Sequence, residues 1–195
     1  MTGPVEVQFD MDGQSRLIRK AHGLADVALS DFVVSHLIGH GAFGKVYLAN
    51  LNTSEQMYAI KVIRKDKLVK DNTKTMAAIL IEFQVCFESD HPFLSSMDYF
   101  FMTEERLYFI MPFYSGGTLQ SVIKVDKKVP EAQVKFYLAQ LILGVGNIHE
   151  SHIIHRDLKP DNLMLDSNGY LKIIDFGLAR YLRGSALAST SCGTP

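Results

Sequence analysis

The sequence predicts an α+β fold, with strands concentrated in the first half of the chain and helices in the second. Apolar runs rich in β-branched residues, at 32–38 and 57–63, are typical of strands. A run at 130–150 has apolar residues at helical spacing, and its opening proline and glutamate favour a helix start. Residues 112–117 include one proline and two glycines, which indicates a connector between the two parts.

Four segments follow from these elements. The first is an N-terminal extension whose alternating apolar residues could add a strand to a sheet edge. The second is β-rich and contains one helix, the third is a hinge, and the fourth is mainly helical. Their predicted ranges are 1–30 for the extension, 31–111 for the β-rich part, 112–117 for the hinge and 118–195 for the helical part, with helices at 75–88, 118–125 and 130–150.

The helix at 75–88 carries one member of a candidate ion pair. Its apolar residues recur at helical spacing and predict a buried face. They are Met76, Ile79, Leu80, Phe83 and Phe87. Glu82 lies beside this face, where an unpaired carboxylate would be costly. Lys61, inside the apolar strand 57–63, is the expected partner, although a strand lysine can also extend its ammonium group to solvent.

The long helix at 130–150 is apolar on nearly every side. One stripe contains Val134, Tyr137, Leu138, Leu141, Ile142, Val145 and Ile148, and further apolar residues, Phe136, Ala139 and Leu143, lie off it. Such a helix is expected to be buried on more than one side. The residues that follow can cover one side only, so we expect exposed apolar surface on the other.

Composition narrows the possible functions. The 195 residues are 47% hydrophobic and carry a net charge of −1, so nothing indicates a nucleic-acid partner. The start of the chain lacks the pattern of a signal peptide, and no apolar run reaches the length of a membrane span. Cys86 and Cys192 are far apart and are expected to be thiols of a reducing compartment, which favours a cytoplasmic location.

A glycine-rich stretch lies between two apolar, β-branched runs. Gly39, Gly41 and Gly44 form a G-x-G-x-x-G pattern, which alone also fits a dinucleotide-binding turn. That alternative requires a helix directly after the glycines. The chain instead continues through a polar, turn-like segment into the strand of Lys61. The pattern therefore predicts a hairpin that covers phosphates and leads to a strand lysine.

The most specific motif is the loop His155-Arg156-Asp157-Leu158-Lys159-Pro160-Asp161-Asn162, followed by Asp175-Phe176-Gly177. It supplies a carboxylate, a cation and an amide, and then a second carboxylate after a short predicted strand. Phosphoryl transfer from a metal nucleotide requires a base for the attacking hydroxyl, positive charge on the moving phosphoryl group, and oxygen ligands for Mg²⁺. The motif predicts this chemistry.

With these motifs the chain resembles the eukaryotic protein kinases, and the run from Asp157 to Pro160 resembles their serine/threonine branch. Three shorter motifs resemble those of the AGC group: His91-Pro92-Phe93-Leu94, Gly116-Gly117 and Cys192-Gly193-Thr194-Pro195. The calcium/calmodulin-dependent kinases can share the last of these motifs and are the nearest alternative. The resemblance implies a bilobal protein-kinase-like fold, here with an incomplete large lobe, because no Ala-Pro-Glu follows the activation segment.

The resemblance also implies roles for individual residues. Asp157 would be the catalytic base and Lys159 the γ-phosphate cation, while Lys61, paired with Glu82, would hold the α- and β-phosphates of ATP. Asn162 and Asp175 would bind Mg²⁺, and Arg156 would bind a phosphate on Thr190 placed by an activating kinase. The expected nucleotide contacts are Ile38, Gly39, Gly41, Phe43, Gly44, Val46, Ala59, Lys61, Met111, Phe113 and Met164. The hydrophobic spine would be Cys86, Met97, His155 and Phe176.

The predicted function is therefore ATP-dependent phosphorylation of serine or threonine in protein substrates. The alternative is a catalytically inactive, truncated fragment that binds nucleotide or regulates a partner. Two residues depart from the group's pattern. Pro112 removes a backbone donor from the hinge, and Thr118 stands where relatives that prefer basic substrates often have a glutamate.

Overall fold

The structure is a computed structural model that describes residues 15–21, 23–40, 44–70, 72–88 and 90–182. The chain divides into two compact units, each described by itself below. The first unit contains Met1–Thr73 and Met97–Phe113, and the second contains Lys74–Ser96 and Tyr114–Pro195. The first unit is built mainly of strands and the second carries the long helices, so the predicted α+β class is confirmed.

The first unit is built on a six-stranded antiparallel sheet. Its strands are β1 (Arg16–Lys20), β2 (Phe32–His40), β3 (Gly44–Leu51), β4 (Met57–Arg64), β5 (Tyr99–Met102) and β6 (Arg106–Pro112). They lie in the order β1-β5-β6-β4-β3-β2, and a short helix, α1 (Lys65–Lys70), follows β4. The order places β4, the strand of Lys61, in the interior of the sheet.

An aromatic cluster forms the core of this unit. The ring of Phe32 meets those of Tyr58, Tyr99 and Phe101 edge-on, at centroid distances of 5.4, 5.8 and 6.1 Å. Each such ring, when buried, stabilises the fold by roughly 1.5–3 kcal/mol. Part of the N-terminal extension packs against this core through Leu17, Leu24 and Val27.

The second unit contains three described helices and two small sheets. The helices are α2 (Asn72–Glu88), α3 (Leu119–Asp126) and α4 (Glu131–Glu150). One sheet pairs β7 (Ile153–Ile154) with β10 (Arg180–Tyr181), and the other pairs β8 (Leu163–Leu165) with β9 (Leu171–Ile173). Within the described ranges no helix has the length and apolar character to cross a membrane.

The buried faces of α2 and α4 differ from the predicted stripes. On α2, Met76 and Leu80 are exposed, whereas Ile79, Glu82 and Cys86 are buried. The buried side of α4 is formed by Tyr137, Gln140, Gly144 and Ile148, at helical spacing. The stripe predictions are confirmed at Ile79, Tyr137 and Ile148, and they were wrong at the exposed residues Met76, Leu80, Leu138 and Ile142. On α4 the reason is that an amide and a glycine face inward.

Gly144 explains how closely α4 lies on β9. A Cβ atom at Gly144 would lie only 2.8 Å from Cδ1 of Ile173, so even alanine there would force the Ile173 side chain to move. The opposite side of α4 is uncovered among the described residues, and Ile142 is 68% exposed. Phe136, Leu138 and Leu143 are exposed as well. This confirms the expectation of exposed apolar side chains on this helix.

Candidate active site

The carboxylate of Asp157 lies at the centre of the loop between β7 and β8. Its Oδ2 atom is 2.9 Å from the Lys159 ammonium and accepts a hydrogen bond from Asn162 Nδ2 at 3.0 Å. The same Nδ2 donates to the backbone carbonyl of Asp157 at 2.8 Å. Because the amide nitrogen of Asn162 is used twice on Asp157, the orientation of the amide is fixed and its oxygen points away from that residue.

The His155 side chain holds the backbone of this loop through hydrogen bonds. The backbone N–H of Asp157 donates to His155 Nδ1 at 3.3 Å, and His155 Nε2 lies 3.1 Å from the carbonyl of Ile174. Only a neutral ring protonated at Nε2 satisfies both contacts. Burial lowers the pKa of His155, which favours the same neutral form. Its ring lies 5.0 Å from that of Phe176, so two residues of the predicted spine are in contact.

Asp175 follows β9 in an unusual backbone conformation. Its φ angle is +61°, in the left-handed region that aspartate tolerates better than most residues. The N–H of Gly177 donates to Asp175 Oδ1 at 3.3 Å, and the N–H of Ile174 donates to the carbonyl of Asn162 at 3.0 Å. The last contact brings the backbones of the two predicted magnesium ligands side by side.

Strand β9 is fixed from two sides. The Leu171 N–H donates to the side-chain oxygen of Gln140 at 2.8 Å, and the Gln140 amide nitrogen donates to the carbonyl of Phe136 at 3.2 Å. On the other side, the Ile173 N–H donates to the carbonyl of Phe93, and the Ser95 N–H donates to that of Ile173. Gln140 was not predicted as a site residue, although its place one turn before Gly144 on a mostly apolar helix was a signal.

Helix α2 presents a carboxylate on its buried side. Glu82 is 3% exposed, as its place in the sequence predicts. Two residues further on, the side chain of Gln84 accepts a hydrogen bond from the Tyr181 hydroxyl of β10. Among the described residues, no group of three or more histidine, cysteine, aspartate or glutamate side chains could hold a metal by itself.

The first unit groups the predicted nucleotide contacts on one face of its sheet. Val46 is the cross-strand partner of Lys61, and Ala59 is the partner of Met111. Directly opposed residues of an antiparallel pair point to the same face, and so do residues two apart on one strand. Val46, Ala59, Lys61 and Met111 therefore share a face, and the side chain of Lys61 is buried.

Gly44 begins β3 at a close approach of two backbones. A Cβ atom there would lie 2.0 Å from the carbonyl oxygen of Val62, which leaves room for glycine alone. A Cβ atom at Gly39 would have its nearest contact at 3.8 Å, with Val46 Cβ. Gly39 therefore has room for a methyl group, whereas Gly44 does not. Ile38 is the partly exposed residue before Gly39, and the Phe113 N–H donates to the carbonyl of Met57. The predicted contacts Gly41 and Phe43 lie outside the described residues.

The remaining predicted residues belong to the second unit. Met164 on β8 forms an isolated bridge with Thr118, and the Thr118 side chain caps α3 by accepting from the Ser121 N–H at 3.1 Å. Arg156 has a φ angle of +69° and donates from Nε to the carbonyl of Leu178 at 2.7 Å. Thr190 lies outside the described residues.

Lys61 and Glu82 belong to different units, so their ion pair stays a prediction.

Comparison with known proteins identifies the class. Residues 32–195 match the family model described as protein kinase domain, and the chain belongs to that family. The predicted protein-kinase-like fold is confirmed, and ATP is the substrate that such a domain implies.

Individual relatives support the serine/threonine branch. A probable serine/threonine-protein kinase of Dictyostelium discoideum is 40% identical over 154 residues, which are 79% of this chain and 33% of the relative. The serine/threonine-protein kinase sgk-1 of Caenorhabditis elegans is 39% identical over 85% of this chain and 36% of its own length. The RAC family serine/threonine-protein kinase homolog of Dictyostelium discoideum is 37% identical over 87% of this chain and 38% of its own.

The resemblance to serine/threonine kinases of the AGC group is thereby confirmed. The chain spans about a third of the length of the curated relatives that it matches.

Proposed function

We propose that this chain forms the nucleotide-holding part of an ATP-dependent protein kinase that phosphorylates serine or threonine hydroxyl groups. The observation that carries the proposal is the Asp157 carboxylate, which lies within 2.9 Å of the Lys159 ammonium and 3.0 Å of the Asn162 amide. A base, a cation and an oxygen ligand thus lie within one short loop, as phosphoryl transfer requires.

In the proposed reaction Asp157 accepts the proton of the substrate hydroxyl. The hydroxyl oxygen forms a bond to the γ-phosphorus while the bond from that phosphorus to the β,γ-bridging oxygen breaks, which leaves ADP. The Lys159 ammonium stabilises the negative charge on the transferred group. The contact between Lys159 and Asp157 supports these roles, because it places the cation next to the base.

We further propose Asn162 and Asp175 as magnesium ligands. Mg²⁺ prefers oxygen donors and is often bound by one or two carboxylates together with substrate phosphates. The two residues fit this pattern, since the nitrogen of the Asn162 amide is used on Asp157 and the Asp175 carboxylate sits on a backbone joined to that of Asn162. When bound, the ion neutralises charge on the β- and γ-phosphates.

On the first unit, we propose that Val46, Ala59 and Met111 contact the adenine and that Lys61 binds the α- and β-phosphates. Their common sheet face supports this assignment. Met164 of the second unit would contact the other side of the base. Glu82 would orient Lys61 through an ion pair, as the resemblance to the protein kinases implies.

The proposed partners are protein substrates and an activating kinase that phosphorylates Thr190. Arg156 would bind that phosphate, and its Nε–H, held by the Leu178 carbonyl, orients the guanidinium group. We propose a cytoplasmic location, which the buried thiol of Cys86 supports. The second candidate function, a non-catalytic fragment that binds a partner, is favoured by the exposed apolar residues of α4.

Thermal unfolding tests the nucleotide site. Mg-ATP should raise the melting temperature of the full chain, because a ligand that binds the native state stabilises it. Asp175→Asn removes a ligand charge and should abolish most of the magnesium-dependent part of this rise. The matched control is Asp166→Asn in the turn between β8 and β9, where an amide oxygen can still accept from Asn168 and Tyr170. It should keep the full rise.

An equal loss in both variants, or no loss in Asp175→Asn, would reject Asp175 as a ligand. Phosphate transfer to a generic serine/threonine substrate then separates the two candidate functions. A chain that binds Mg-ATP but transfers no phosphate, even when the sequence is extended as in its relatives, would favour the non-catalytic alternative.

A further inference from the structure

The hydrogen bond between Tyr181 and Gln84 joins two elements that are far apart in sequence. Tyr181 ends β10 and pairs with Ile153 of β7, directly before the loop that holds Asp157. The Leu182 N–H donates to the carbonyl of His152 and extends this pairing. Gln84 lies on the exposed side of α2. The segment directly before the loop of Asp157 is thus connected to helix α2 through this side-chain contact.

The direction of this hydrogen bond follows from the surroundings. Burial and, to a smaller extent, the nearby Glu88 carboxylate raise the pKa of Tyr181, so the hydroxyl keeps its proton and donates to the Gln84 side-chain oxygen. Glu88 lies one turn after Gln84 on the same side of α2. The outer side of the helix therefore faces Tyr181 with an acceptor and a negative charge.

The contact restrains the part of α2 that carries Glu82. Residues two apart in a helix point in nearly opposite directions, so Gln84 faces outward while Glu82 is buried. The hydrogen bond to Tyr181 on the outer side of the helix restricts both translation and rotation of this turn. We propose that Tyr181 is a positioning residue, which holds α2 through Gln84 and so fixes the orientation of Glu82. The proposal rests on the proposed kinase function.

The test combines two variants in a double-mutant cycle on the full chain. Tyr181→Phe removes only the hydroxyl, and Gln84→Leu removes the acceptor at similar volume. Because one hydrogen bond shifts an equilibrium by roughly twofold to tenfold, each variant should lower kcat by about that factor. The KM for ATP should change less than kcat. The double variant should be no slower than the slower single variant, since both remove one contact.

Tyr170→Phe is the matched control. Tyr170 is exposed and its ring contacts Phe136, which the phenylalanine keeps. This control should leave kcat unchanged. Losses that multiply in the double variant, or an unchanged kcat in Tyr181→Phe, would overturn the proposal.

Amide hydrogen exchange gives a readout that does not depend on phosphate transfer. Tyr181→Phe should raise the amide exchange rate in α2 and leave the rate in α4 unchanged. An unchanged rate in α2 would overturn the proposal that Tyr181 restrains this helix. If the chain, extended as in its relatives, transfers no phosphate, the kinase proposal fails, and exchange in α2 still decides whether Tyr181 holds the helix.

Discussion

The two units build their parts of the candidate site in different ways. In the first unit the residues lie on regular antiparallel strands, where Val46 and Ala59 share a face because of the pleat. In the second unit Arg156 and Asp175 have φ angles of +69° and +61°, which cost of order 1–3 kcal/mol each in residues other than glycine. Regular strand pairing positions the candidate site residues of the first unit, and strained loops position those of the second unit.

The strain in the second unit is offset by a dense set of hydrogen bonds. His155 joins Asp157 to Ile174, and Asn162 contacts both the side chain and the backbone of Asp157. These contacts hold Asp157 and Ile174, the residues directly next to Arg156 and Asp175, and so keep the strained backbone in place. The comparison shows that the candidate catalytic residues lie where the backbone must be held against its preferences, while the proposed adenine face needs only a regular sheet.

Removal of the base should have the largest effect. Asp157→Asn keeps the size of the side chain but cannot accept the substrate proton, so kcat should fall by about 10²–10⁴. Nucleotide binding should survive, because the proposed adenine face is on the first unit. Steady-state kinetics with a generic substrate and the Mg-ATP melting shift measure the two quantities separately. Turnover at the unmutated rate would contradict the assignment of Asp157.

In the sheet of the first unit, Gly44 occupies a position that leaves no room for a side chain. Gly44→Ala would place a methyl group 2.0 Å from the Val62 carbonyl oxygen, and should lower the free energy of unfolding by roughly 1–3 kcal/mol. Gly39→Ala has its nearest contact at 3.8 Å and should stay within about 0.5 kcal/mol of the unmutated chain. Urea unfolding of both variants measures the difference. Equal stabilities would show that β3 and β4 separate easily at this end.

The smallest expected effect concerns a partly buried carboxyl in the first unit. Burial raises the pKa of Asp98 to about 6, compared with about 4 in an unfolded chain. Between about pH 4 and pH 6 the unfolded state has released a proton that the native state keeps, so this group lowers the free energy of unfolding as the pH rises. Asp98→Asn should therefore stabilise the chain by about 1–2 kcal/mol at pH 7.5, after allowance for partial exposure, and hardly at all at pH 4.

Denaturant unfolding at several pH values checks this expectation. Asp90→Asn, at an exposed aspartate of the second unit, is the matched control and should not reproduce the gain at pH 7.5. A gain for Asp98→Asn that is as large at pH 4 as at pH 7.5 would mean that the amide acts through packing and not through charge.

The same contrast between the units explains what the sequence could predict. The strands around Lys61 and the long helix were predictable because their apolar residues follow the periods of strand and helix. The buried state of Glu82 was also predictable, because its place next to an apolar stripe left few alternatives. The buried side of α4 was predicted wrongly where packing placed an amide and a glycine inward, and on α2 Met76 and Leu80 lie on the exposed side.

Contacts between distant segments escaped prediction. An edge strand was expected from the N-terminal extension, but the position of β1 at Arg16–Lys20 depends on the edge that β5 offers and not on its own short sequence. Gln140 and Tyr181 depend on partners 31 and 97 positions away, which no local pattern contains. The left-handed backbone of Asp175 is likewise set by its surroundings. The identities of the candidate catalytic residues were predicted, but the contacts that hold them were not.

The pairing of β1 with β5 affects where the domain can be cut. The family match begins at residue 32, yet β1 (Arg16–Lys20) completes the sheet and Leu17, Leu24 and Val27 cover its aromatic core. A recombinant chain trimmed to the family boundary would lose this cover and leave β5 (Tyr99–Met102) as a bare edge. Exposed sheet edges recruit other strands. Expression that starts before Arg16 should therefore yield the better-behaved protein.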